Sequence, residues 1–381
     1  MDISLVVALV IVLALFFDFT NGFHDTANAM ATPIATRALK PKTAVTIAAV
    51  LNLVGAFLST EVARTISGGL IREGDDGVVI SPQMIFAALI GAIVWNMATW
   101  LLGLPSSSSH ALFGGLIGAA VVGAGVDSID PGVLLSKVVL PAVLAPTIAA
   151  IVAFTATKIA LGITRRAVES RDNFRYGQIA TSSLVALAHG TNDAQKTMGV
   201  ITLTLIAAGS QEPGTDPELW VIVVCALAIA LGTYMGGWRI IRTLGTGITE
   251  VTPPQGLAAE ASTMATILAS SHLGFALSTT QVASGSIIGS GLGRDPRGVR
   301  WGIAGRIGIA WLITLPAAAA MAALAELLAR LGLVGILLDA GIAALAIVGM
   351  FVWSRRSRVG HHNVTRHPVP VSARRSRVDS P

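Results

Sequence analysis

Charge is what this chain lacks most: only 12% of its 381 residues are Asp, Glu, Lys or Arg, against about a quarter in soluble globular domains. With 53% of residues hydrophobic and a mean hydropathy of +0.73, one water-soluble core cannot absorb so much apolar surface. Cysteine is equally scarce. The single Cys225 lies inside an apolar run, which rules out a disulfide framework or a thiolate metal cluster. No Gly-x-Ser-x-Gly elbow and no His-Glu-x-x-His pair occurs, so an intramembrane hydrolase, the distant alternative raised by Ser, His and Asp within apolar runs, has no motif behind it and the chain does not read as an enzyme. The opening Met1-Asp2 has no basic region or small-residue cleavage site after it and reads as a retained first span, not a signal peptide. The formal charge of +5 makes no nucleic-acid groove, because the basic residues sit in short loops and in the tail from Ser354 onward.

What is present is a succession of uncharged apolar runs, each near the roughly 20 residues that a helix needs to cross a hydrocarbon core. Lipid offers the backbone no hydrogen bonds, and the runs show no period-2 alternation, so they are expected to be helices. They fall near 3–36, 43–60, 80–103, 106–124 and 132–160, then near 176–208, 219–238, 256–273, 274–293, 301–324 and 332–353. The expectation is an all-α polytopic membrane protein with about 10–12 transmembrane segments. Its parts are an N-terminal repeat (1–160), a cytoplasmic linker (161–175), a C-terminal repeat (176–330), an additional span (331–353) and a basic tail (354–381), rich in Arg with His361, His362 and His367, read as a disordered cytoplasmic extension.

Lys and Arg accumulate on the cytoplasmic side of membranes. Arg37, Lys40 and Lys42, the linker arginines, Arg239 with Arg242, Arg294 with Arg297 and Arg300, and the tail mark inside loops. Acidic loops alternate with them: Glu73, Asp75 and Asp76; Asp127 and Asp130; Glu212, Asp216 and Glu218. This places the N-terminus outside and the C-terminus in the cytoplasm, in a cytoplasmic membrane. Five segments precede the linker. An odd number makes any internal repeat inverted, a layout of many secondary transporters.

Two motifs recur across the halves. Gly22-Phe23-His24-Asp25-Thr26-Ala27-Asn28-Ala29-Met30 matches Gly190-Thr191-Asn192-Asp193-Ala194-Gln195-Lys196-Thr197-Met198 in Gly, Asp and Met at the same offsets. Ser107-Ser108-Ser109-His110 with Gly114 and Gly118 matches Ser278-Thr279-Thr280-Gln281 with Gly285 and Gly289. Asp25 to Ser109 is 109 − 25 = 84 residues and Asp193 to Thr280 is 280 − 193 = 87, a correspondence that duplication explains better than chance.

A carboxylate in mid-membrane costs about 2.5–3.5 kcal/mol or more unless it faces a cavity, a cation or a donor. Asp25 and Asp193, each flanked by Gly and by amides or hydroxyls, are expected at helix breaks whose free carbonyls ligate cations and whose free N–H groups bind an anion. The hydroxyl runs Ser107, Ser108, Ser109 and Ser278, Thr279, Thr280 each precede an apolar helix, where N–H groups, hydroxyls and the positive dipole end suit a tetrahedral oxyanion. Blander readings stand beside these: hydroxyl runs as glue between helices, and Gly114/Gly118 and Gly285/Gly289 as close packing. Lys196, in the place of Asn28, either neutralises Asp193 or adds charge for the anion and replaces one coupling cation. Glu260 is a coupling-ion candidate or an interfacial carboxylate. His24 and His110 are proton-acceptor candidates or packing histidines.

At these motifs the sequence resembles the inorganic phosphate transporter (PiT) family, with its two Gly-x-x-Asp signatures and two Ser/Thr-rich half-helix motifs, over roughly residues 3–353. The resemblance implies that Asp25, Asn28, Asp193, Ser107, Ser108, Ser109, Ser278, Thr279 and Thr280 surround phosphate and its coupling cations, with no cofactor. Asn192-Asp193-Ala194-Gln195-Lys196 is similar to the bacterial low-affinity branch, which implies proton coupling over sodium coupling and a divalent metal-phosphate complex as one form of substrate. The metal is unspecified. Gln281 stands where many members have His, against a proton relay there. The implied partners are inorganic phosphate, a coupling cation and the lipid bilayer, with no nucleic acid; family members are often homodimers. Sodium-coupled phosphate or sulfate uptake within the family is the alternative, and a passive channel would not need the paired carboxylates.

Overall fold

Because a backbone in lipid must satisfy its hydrogen bonds within the segment, apolar runs of this length have little choice but to be helical, and among the described residues of the computed structural model every regular element is a helix. The structure describes residues 3–69, 80–164, 170–273 and 277–365. In chain order the helices are α1 (Ile3–Ala35), α2 (Pro41–Gly55), α3 (Glu61–Gly69), α4 (Pro82–Leu102), α5 (Ser108–Ala124), α6 (Pro131–Val133) and α7 (Leu140–Thr164). Then come α8 (Ser170–Ala207), α9 (Leu219–Met235), α10 (Trp238–Arg242), α11 (Pro253–His272), α12 (Thr279–Arg294), α13 (Trp301–Ala329) and α14 (Leu333–Ser354). A π-helical stretch, 134–139, joins α6 to α7.

Each apolar segment read from the sequence is found as a helix, and α3 and α10 are additions. Among the described residues, five helices are long and apolar enough to cross a membrane, or six if α9 and the bent continuation Trp238–Gly247, at 56° to it, form one span. Fewer pass that test than the segments expected, since α8 and α11 devote positions to buried polar side chains, α2 and α5 are shorter apolar helices, and α12 has 16 residues. Leu312 on α13 and Leu345 on α14 are 78% and 74% exposed, as lipid-facing side chains would be. The polar side chains point inward instead, on α1 and α8, which pack against each other at the centre of the bundle.

One expectation is corrected. α1 runs unbroken through Gly22–Asn28 and α8 through Gly190–Lys196, so the two Asp motifs do not interrupt their helices. Their glycines serve close approach: a Cβ on Gly22 would meet Ile229 O of α9 at 2.3 Å, and one on Gly190 would meet Asn52 O of α2 at 2.3 Å. The interruptions lie elsewhere. Gly103, with φ 66°, caps α4 ahead of α5, and residues 273–278, of which 274–276 lie outside the described set, separate α11 from α12. Ser107 and Ser278 are the N-caps of α5 and α12, accepting from His110 N and Gln281 N, each satisfying one of the orphan donors of a helix start.

The Gly-spaced helices pack reciprocally. Gly114 and Gly118 of α5 bring it onto Leu315 O and Ala319 O of α13, while Gly285 and Gly289 of α12 bring it onto Pro146 O and Ala150 O of α7. The packing reading of these glycines holds. Past Ser354 the chain is also ordered: Arg239 donates to Ser354 O at 2.7 Å and Ser357 O at 2.8 Å, Arg242 donates to Asn363 O at 2.8 Å, and Val364 is buried. The reading of 354–381 as wholly disordered therefore fails for 355–365. His367 and the rest of the tail, the acidic loop at Glu73, Asp75 and Asp76, and linker residues 165–169 lie outside the described residues.

A side chain on Gly118 has no room, since its Cβ would stand 2.0 Å from Ala319 O. Gly118→Leu should lower stability by about 1–3 kcal/mol or more, read as a drop in melting temperature in nanodiscs. Gly305→Leu, at a position with nothing within 4 Å, should not; equal melting of the two variants would contradict the packing described.

Candidate functional site

The site is built from one stripe on each central helix. On α1, Asp18, Asn21, Asp25, Asn28 and Thr32 follow one another three and four residues apart, the spacing that puts side chains on one helical face. All five are buried. On α8 the corresponding face carries His189, Asp193 and Lys196, and the first turn of α12 brings Thr279 and Thr280 between the two.

Asp25 is surrounded by donors. Its Oδ1 is 2.6 Å from His24 Nδ1 and accepts from Thr280 Oγ1 at 2.9 Å. Its Oδ2 accepts from Ser108 Oγ at 3.1 Å and stands 3.5 Å from Thr279 Oγ1. Asp193 has a cation: Lys196 Nζ donates to its Oδ1 at 2.6 Å, and Asn21 Nδ2 donates to its Oδ2 at 3.3 Å. Thr279 Oγ1 is also 3.3 Å from Asp193 Oδ2. A hydroxyl has one proton to give, so Thr279 bridges the carboxylates of both halves and can serve one at a time. Asn28 Nδ2 donates to Thr279 Oγ1 and Thr280 Oγ1 at 3.3 and 3.0 Å, which fixes both hydroxyls.

The residues singled out from sequence divide accordingly. Asp25, Asn28, Ser108, Asp193, Lys196, Thr279, Thr280 and His24 meet in one buried cluster. Ser107 and Ser278 act as helix caps, and Ser109 donates to Leu277 O at 2.9 Å. Lys196 donates to that same carbonyl at 3.0 Å, so its ammonium both neutralises Asp193 and ties α8 to the strand of chain entering α12. His110 faces Gln281, its counterpart in the other half, with Nδ1 to Nε2 3.4 Å. Glu260 is buried and accepts from Thr32 Oγ1 at 2.5 Å, while Gln178 Nε2 donates to Thr32. It belongs to a neighbouring polar network further along α1.

Sequence reasoning missed His189, Asn21 and Asp18. His189 Nε2 is 3.1 Å from Asp193 Oδ2 and 3.9 Å from Asp25 Oδ2. A signal for two of them was available: Asp193 follows Asp25 by 193 − 25 = 168 residues and His189 follows Asn21 by 189 − 21 = 168. Extending the repeat one turn upstream finds the pair, and each reaches the carboxylate of the other half.

Asp25, His189 and Asp193 offer ligand atoms all within 4.8 Å of one another. The amide of Asn52 donates to Thr233 Oγ1 at 2.7 Å, leaving its Oδ1 to accept from His189 Nδ1 at 3.2 Å. That assignment turns Nε2 toward the carboxylates, where it either carries a proton or shares a cation with them. The donor set fits a proton or a small cation at the Asp25 side, while at Asp193 an added cation would compete with the resident ammonium.

Removing one member of a buried ion pair costs about 3–5 kcal/mol. Lys196→Met should destabilise the protein on that scale in thermal melting, and Asp193→Asn added to it should recover part of the loss. Wild-type melting of Lys196→Met would show that the ammonium is not what holds Asp193 in place.

The phosphate transporter family is matched over residues 21–171 and 158–322. A protein of Mycobacterium leprae named "Probable low-affinity inorganic phosphate transporter" is 52% identical over 373 residues, 96% of this chain and 89% of that one. One of the same name in Bacillus subtilis is 43% identical over 330 residues, 85% of this chain and 98% of its own length. A solved structure described as the sodium-dependent phosphate transporter shares the fold, with a TM-score of 0.76 at 24% identity, covering 86% of this chain and 100% of that one. With likeness of this extent running through both Asp motifs and both hydroxyl-capped helices, the chain belongs to the phosphate transporter family, a family of membrane transporters and not of enzymes.

Proposed function

We propose that the chain moves inorganic phosphate across the cytoplasmic membrane by symport with protons, N-terminus outside and C-terminus inside, through two halves related by inversion. The observation that carries this reading is the Thr279 hydroxyl lying within 3.5 Å of both Asp25 and Asp193, which makes one site from residues of both halves. Ser108, Thr279 and Thr280 supply hydroxyls beside two helix N-termini, the donor type that a tetrahedral oxyanion needs.

An anion at this place meets two carboxylates. Like unit charges 4 Å apart repel by about 4 kcal/mol at an effective dielectric near 20, about a thousandfold in affinity. Phosphate therefore binds well only when positive charge arrives with it, and that requirement is the physical basis of coupling. Lys196 supplies one fixed charge at Asp193, where Asn28 stands in the equivalent position on α1; this favours protons as the mobile charge and explains how one cation site is already filled. Around Asp25 the hydroxyl oxygens of Ser108, Thr279 and Thr280 favour a second reading in which sodium is the coupling ion. The name of the similar M. leprae protein supports phosphate as cargo, and a divalent metal-phosphate complex would bring further positive charge.

Selectivity against sulfate follows from protonation, since monohydrogen phosphate has an O–H to donate and sulfate does not. A carboxylate oxygen accepts about two hydrogen bonds. Asp193 Oδ1 receives Lys196, leaving capacity for that O–H.

Labelled phosphate should enter proteoliposomes along an imposed pH gradient without sodium and in excess sulfate. Uptake lost to equimolar sulfate would overturn the substrate, and uptake that follows only a sodium gradient would overturn the coupling ion. Asp25→Asn and Asp193→Asn should each abolish uptake at normal membrane abundance; near-normal uptake in either removes that residue from the site.

A further inference from the structure

Asp18 is fully buried in α1, and neither of its carboxylate oxygens has a hydrogen-bond partner among the described residues. It lies seven residues before Asp25, two turns away on the same face, about 10 Å along the helix axis. The Thr197 hydroxyl, which has no other partner, faces it from α8 and is the one neutral donor that acts on it. Asp193, His189 and Lys196 on α8 and Cys225 on α9 are the ionisable groups that act on it from neighbouring helices. Packed α4 contributes none, since its sequence holds no ionisable side chain. Asp18 continues the α1 stripe past the site and lies outside the hydrogen-bonded cluster around Asp25, with no part in holding that cluster together.

An ionised carboxylate in such a place, with one neutral hydroxyl as its donor and no paired cation, is among the most costly arrangements a protein interior can hold. Its charge must be matched by something bound. A metal ion would need several converging oxygens, and the groups around Asp18 are instead one hydroxyl, a thiol and a charged triad already engaged with one another.

We propose that Asp18 is a coupling-proton site of this transporter, a carboxyl that takes up and releases a proton one step removed from the phosphate site. The proposal rests on the reading of the chain as a proton-coupled phosphate carrier and deepens it. Phosphate arriving beside Asp193 adds negative charge to the surroundings of Asp18 and so favours its protonated form. By linkage, protonation of Asp18 favours phosphate binding by the same factor. Release of the proton on the opposite side then weakens phosphate binding there. The next acids and bases along α1 are His24 and Asp25 within the site, and Glu260 of α11 meets α1 further on at Thr32; all come after Asn21, the α1 residue that meets Asp193.

The test separates binding from coupling in proteoliposomes holding Asp18→Asn, which is locked in the neutral state, and Asp18→Glu, which keeps the carboxyl. Phosphate counterflow at equal pH needs no proton release, so Asp18→Asn should retain it. Uphill accumulation should disappear: one pH unit is worth about 1.4 kcal/mol, about tenfold in accumulation for each proton coupled, and Asp18→Asn should reach a ratio of about one. Asp18→Glu should still accumulate. If Asp18→Asn accumulates phosphate like the wild type, or if it loses counterflow together with accumulation while eluting as a folded protein, Asp18 is not the coupling site. Failure of the wild type itself to accumulate along a pH gradient would remove the proton-coupled reading and this proposal with it.

Discussion

Two carboxylates buried side by side in a bundle with little other charge are the constraint on which the rest of this structure depends. Asp25 and Asp193 are each sealed from solvent, and a charge so placed is tolerable only with donors or counter-charge at hand. The surrounding architecture supplies them. Helices α5 and α12 start within the bundle, their hydroxyl-bearing first turns reach Asp25 and Asp193, and Lys196 and His189 approach from α8. Small residues make that convergence sterically feasible, because α5 and α12 can only come so deep where Gly118 and Gly289 let them rest on the backbones of α13 and α7.

The same constraint links structure to transport. On the proposed reading, two carboxylates at the site repel an anion unless cations enter with it, which makes anion and cation binding mutually dependent without any further device. The halves contribute unequally to this balance. The Asp25 side offers hydroxyls and an amide, whereas the Asp193 side carries a permanent ammonium. On the proposed reading, two matched motifs thus present an asymmetric electrostatic field to phosphate.

Much of the fold could be read from hydropathy, because helix formation in lipid is dictated by backbone hydrogen bonding and needs no tertiary information. The cluster was legible through repetition: the shared offsets of Asp25 with Asp193 and of Ser108 with Thr279 brought to notice the residues that the structure assembles. Continuity of α1 and α8 was not legible. Glycine beside a buried charge suggests a break, but Gly22 and Gly190 answer to helix neighbours distant in sequence, and such contacts leave no local trace. His189 and Asp18 escaped for a related reason. Each sits a turn or two outside the recognisable motif, and its importance comes from which side chains of the other half it faces. The folding back of 355–365 onto Arg239 and Arg242 was hidden because a basic, polar tail has no hydropathy signal that distinguishes packed from solvated.

The central claim is that one phosphate site is shared by the two halves and lies where Asp25, Asp193 and the α12 hydroxyls converge. Electron cryomicroscopy of the protein in lipid nanodiscs with saturating phosphate tests it most directly. The account predicts a tetrahedral density within hydrogen-bonding distance, about 3 Å, of the Ser108, Thr279 and Thr280 hydroxyls. Density bound outside this cluster, or Asp25 and Asp193 parted onto separate or lipid-facing surfaces, would contradict it.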